Sequence, residues 1–63
     1  MNTTEKLEST LTQFKRAFFH LKTAETSVYG DARTRYLLGI EVVFANIRLL
    51  EETIEEVKNG QDN

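Results

Sequence analysis

The amino-acid sequence predicts an all-α protein, an antiparallel two-helix hairpin of coiled-coil type. The 63 residues contain no proline and three glycines, so little in the chain interrupts a helix. Apolar residues recur alternately four and three positions apart in both halves, which is the spacing of a coiled-coil seam. Between the halves stands one step, Gly30-Asp31, that can turn the chain back on itself.

The first helix is expected over residues 3–28. Asn2 followed by Glu5 fits a capping box, in which the side chain at the cap accepts a first-turn amide hydrogen and the later carboxylate reaches back. Its seam runs Leu7, Leu11, Phe14, Phe18, Leu21 and Val28, with Glu25 as the one charged interruption. The turn falls at 29–31, where Gly30 can take the left-handed conformation and Asp31 can cap the next helix. The second helix is expected over 32–58 with a seam of Tyr36, Ile40, Val43, Ile47, Leu50, Ile54 and Val57. Asn59-Gly60 marks its end, and 59–63 are expected to fray. Folded at the turn, residues whose numbers add to 61 meet, so Leu7 faces Ile54, Phe14 faces Ile47 and Leu21 faces Ile40. Each layer sets an a position against a d position, as antiparallel helices require. The chain thus forms one domain over 1–63, with two helices each roughly 40 Å long at 1.5 Å per residue.

The second helix carries a further apolar row, Leu38, Val42, Ala45 and Leu49, again spaced four, three and four apart. Each member lies two positions from a member of the first seam, a rotation of about 200°, so the row points away from the first helix. Leu37 and Phe44 widen this surface. Small scaffolds without a disulfide or a metal commonly gain stability by association. The row is therefore expected to serve as a protein interface, either pairing with its own copy in a four-helix bundle or receiving another protein. Asn46, between the two seams, suits a register-setting role. Gly39, costly inside a helix, suits a close helix crossing. Glu25 and Arg33 fall in adjacent layers beside the turn, where a salt bridge would account for both charges.

Charge and composition narrow the function. The formal net charge is -2, which offers no general attraction to nucleic acid or anionic lipid. Its distribution is uneven. Residues 1–14 and 49–63 hold seven acids and two bases, whereas 15–48 hold six bases and three acids, a dipole suited to aligning an antiparallel dimer. The absence of cysteine removes disulfides, thiolate metal sites and thiol nucleophiles. The N-terminal residues have neither the basic region nor the apolar run of a signal peptide, and Glu41 and Arg48 interrupt the most apolar stretch. A soluble cytoplasmic protein without membrane association is expected.

One basic cluster, Lys15, Arg16, Phe19, His20 and Lys22, combines cations with an aromatic ring and could engage RNA or DNA. At the turn, Tyr29, Arg33, Arg35 and Tyr36 offer a second, smaller docking site. His20 is the sole histidine, and no catalytic, cofactor or metal site is expected, nor a small-molecule substrate. The layout of heptads around Gly30-Asp31 resembles the plasmid copy-control bundles that bind RNA and the small hairpin co-chaperones of type III secretion needles. That resemblance is architectural and carries over no functional residue. The expected function is that of a small non-enzymatic regulator, adaptor, chaperone or inhibitor acting by protein binding as a homodimer. Nucleic-acid binding is the alternative.

Overall fold

The computed structural model describes residues 2–61. Helix α1 spans Thr3–Ala24, a 3-10 turn spans Glu25–Ser27, and helix α2 spans Asp31–Gln61. The helices pack against each other as an antiparallel hairpin measuring 51 × 17 × 11 Å. At the start of α1, Asn2 is extended and its Oδ1 accepts the Glu5 amide hydrogen at 2.8 Å. That bond gives a partner to one of the first-turn amides that a helix leaves unpaired.

The end of α1 departs from the expected boundary at residue 28. Thr26, Ser27 and Val28 are weak helix formers. The Glu25 amide donates to the Lys22 carbonyl, three residues back, and tightens the helix into the 3-10 turn. Val28 is then extended, and Gly30 takes φ +68°, the left-handed region expected of it. Arg33 donates its amide hydrogen to the Gly30 carbonyl at 3.0 Å as α2 begins.

Helix α2 also outruns its expected limits of 32 and 58. It begins at Asp31, whose carboxylate in the first turn complements the helix dipole. At the far end Asn59 and Gly60 remain helical through Gln61. Gly60 does not adopt the left-handed conformation that would stop a helix, so glycine there weakens α2 without ending it. Fraying was expected over 59–63; of these, 62 and 63 lie outside the described residues. The two helices are consequently unequal, with 22 and 31 residues.

The interior is thin. Ile40, Ile47 and Ile54, one heptad apart on α2, are the buried hydrophobic residues, 7 to 9 % exposed, and α1 contributes none. The α1 seam from Leu7 to Leu21 and its α2 counterparts Tyr36, Val43, Leu50 and Val57 are half-buried around them. Side-chain pairs fix the antiparallel register. Glu8 meets Lys58 at 3.0 Å, Lys15 meets Glu51 at 3.5 Å, and the rings of Phe18 and Phe44 lie 5.7 Å apart. The two ion pairs recur at a heptad interval along one flank of the seam, as flanking positions of antiparallel helices do.

The accessible surface is 4894 Å². A compact monomer of 7.3 kDa exposes about 4,200 Å². The excess follows from the elongated shape of two helices with nothing packed on their outer sides.

Candidate interaction surface

At the turn, the last carbonyls of α1 need donors once its hydrogen-bond ladder stops. Tyr36 supplies one, donating its hydroxyl to the Leu21 carbonyl at 2.6 Å. Leu21 needs it because the Glu25 amide has turned to Lys22 instead. Arg33 supplies more, donating from Nη1 to the Glu25 carbonyl at 2.7 Å and the Val28 carbonyl at 3.2 Å. Its Nη2 also lies 3.5 Å from the Glu25 carboxylate, the salt bridge expected from the sequence, and Lys22 reaches the same carboxylate at 3.0 Å. Arg33 and Tyr36 are therefore committed to closing the hairpin. Of the four tip residues only Tyr29 and Arg35 are exposed.

The basic cluster is partly neutralised. Lys15 pairs with Glu51 across the hairpin, and Lys22 pairs with Glu25. Arg16 is exposed, and Phe19 sets its ring edge-on to His20, 5.9 Å away. Phe19 is 66 % exposed on α1. A shallow, open depression of about 190 Å³ is lined by Gln13, Phe14 and Ala17 of α1 and holds no titratable side chain. Among the described residues, no three histidine or acidic side chains are grouped to hold a metal ion, and no helix is long and apolar enough to cross a membrane.

The outer face of α2 is different. Leu38, Val42 and Leu49 are 58, 60 and 59 % exposed, and Ala45 between them is exposed as well. They occupy the heptad positions opposite Ile40, Ile47 and Ile54, so α1 covers one side of α2 and leaves this one open. Leu37 and Phe44, expected to widen this surface, border the row on the side nearer α1. Leu37 is half-buried, and Phe44 packs on Phe18 with its rim still exposed. Both lie on the flank of the hairpin seam, next to α1. The uninterrupted row is thus Leu38, Val42, Ala45 and Leu49.

Charged side chains border the row: Arg35, Glu41, Arg48 and Glu52 are all exposed. Among the described residues none of the four has an ion-pair partner, and the half-buried Asn46 amide has no hydrogen-bond partner. The sequence reading did not single out these charges as a set. Their common signal is position, since each lies within or beside the second apolar row. At Gly39 an added Cβ would meet nothing within 4 Å, so the close crossing expected there is not made with α1.

No protein family, curated protein or solved structure matches the chain.

Proposed function

We propose that the protein is a small non-enzymatic binding module of the cytoplasm, a regulator, adaptor, chaperone or inhibitor, whose working surface is the outer face of α2. The observation that carries this reading is the row Leu38, Val42, Ala45 and Leu49, apolar, regularly spaced and uncovered. Isolated exposed leucines are ordinary, but a contiguous row at heptad spacing matches the helix-in-groove and helix-on-helix modes of recognition. Self-association through this face would give a homodimer of four helices. Nucleic-acid binding through Lys15, Arg16, Phe19, His20 and Lys22 has weaker support, because two of its three lysines and arginines already face acids.

Site-directed crosslinking tests the choice. A photoreactive side chain replacing Val42 is expected to trap polypeptide, whether a second copy or another protein, when irradiated in cells expressing the full chain. The same group replacing Phe19 is expected to trap nothing in high yield. Nucleic acid trapped at Phe19, with position 42 silent, would overturn the reading.

A further inference from the structure

Resting on that reading, the charges bordering the row identify its occupant, and we infer that the outer face of α2 is covered by a second copy of this chain, antiparallel and in a single register. Taken as a seam of its own, the row assigns Leu38 and Ala45 to d positions and Val42 and Leu49 to a positions. Antiparallel pairing of a with d sets Leu38 opposite Leu49 of the second copy and Val42 opposite its Ala45. A two-fold axis then repeats both layers, as an isologous interface requires.

The neighbouring layer sets Arg35 opposite Glu52 of the second copy. On the flank of the seam, Glu41 falls beside Arg48 of the second copy. Symmetry doubles each contact, so the four exposed charges that lack ion-pair partners within the hairpin gain four partners in the dimer. Asn46, whose amide lacks a partner within the hairpin, lies on the opposite flank beside Gly39 of the second copy, where the glycine leaves it room.

Other registers lose this match. Sliding the helices one heptad in one direction sets Glu41 against Glu41. Sliding them the other way sets Arg48 against Arg48 and Glu41 against Glu55. A parallel arrangement stacks Arg35 on Arg35 and Glu52 on Glu52. Like charges so placed oppose association. Beyond Arg35 and Glu52 the next antiparallel layer would bring Asp31 to Glu56, so the contact ends there. It covers positions 35 to 52, about 26 Å of helix at 1.5 Å per residue. Because the row lies opposite α1, the two α2 helices form the inner pair and the two α1 helices the outer pair.

Charge reversal in the full chain tests both the occupant and the register. Molar mass by light scattering over a dilution series is expected to approach two chains for the native protein. Glu41→Arg and Arg48→Glu, each alone, set like charges together and are expected to weaken the dimer about tenfold. Mixing these two variants, or combining the substitutions in one chain, is expected to restore native affinity, because opposite charges face each other again. Both positions are exposed, so each variant is expected to remain helical, which far-ultraviolet circular dichroism checks. A monomeric native protein at every concentration overturns the inference, as do single reversals that dimerise like the native chain. In either case crosslinking at position 42 to a different protein would leave the binding-face reading standing.

Discussion

Arg33 and Tyr36 do the work that a standard glycine cap would otherwise do for α1. Helix α1 stops without a left-handed residue at its own end, since the left-handed glycine lies five residues beyond Glu25, at Gly30. The Leu21 carbonyl is instead satisfied from the opposite helix by a phenol, and the carbonyls of Glu25 and Val28 in the connecting turn by a guanidinium. These bonds are part-buried, and a hydrogen bond from a charged donor contributes more than a neutral one. Arg33→Leu is therefore expected to cost about 2 kcal/mol in a denaturant titration, and Tyr36→Phe about 1 kcal/mol. Glu25→Leu should cost less than either. It removes ion pairs to Lys22 and Arg33, whose own side chains are 51 and 40 % exposed and so screened by solvent, while the Arg33 bonds to backbone carbonyls persist. A larger loss for Glu25→Leu than for Arg33→Leu would show that the carboxylate, not the carbonyl contacts, holds the turn.

At the scale of the element, two glycines with equal space around them should respond in opposite ways. An added Cβ meets nothing within 4 Å at Gly30 or at Gly39, so sterics with neighbours cannot distinguish them. Backbone conformation can. Gly30 has φ +68°, where an L side chain is strained, and Gly30→Ala is expected to lower stability by about 1 kcal/mol. Gly39 is inside α2, and Gly39→Ala at dilutions that favour the single hairpin should raise stability by about 1 kcal/mol. Thermal melts of the two variants against the native chain check both signs. The same contrast explains what the sequence made legible. The heptad of Ile40, Ile47 and Ile54, the Asn2 cap and the left-handed Gly30 follow from local rules of side-chain spacing and backbone freedom, and each is found. Helix ends were less legible, because neither the heptad spacing nor a glycine alone fixes where a helix stops. Val28 keeps the heptad yet lies outside α1, while Gly60 carries a stop signal that α2 passes through. The outer row of α2 was legible from spacing alone. The partial cover of Leu37 and Phe44 was not, since that depends on how α1 sits over their flank and on the ring of Phe18.

For the whole molecule, the decisive quantity is how little the hairpin buries. Only three described hydrophobic side chains are buried, and all belong to one helix. Long antiparallel helices with so narrow a seam would gain stability from the second copy proposed to cover the outer face of α2, because intrinsic helix propensity alone is marginal. A partner that binds only the folded state adds stability that depends on concentration. The native melting temperature is accordingly expected to rise with protein concentration. Val42→Glu combined with Leu49→Glu should abolish self-association and flatten that dependence while the chain remains helical. Both positions lie on the face opposite the inner seam, so the hairpin contacts of Ile40, Ile47 and Ile54 are untouched by them. Ile47→Ala supplies the contrast. It opens the middle of the thin core, costs about 2 kcal/mol or more, and should lower the melting temperature at every concentration without removing its slope. Parallel melting curves for these two variants, displaced equally and with the same slope, would mean that the inner and outer faces of α2 are not energetically separate. Distinct behaviour would locate folding in the inner seam and association in the outer one.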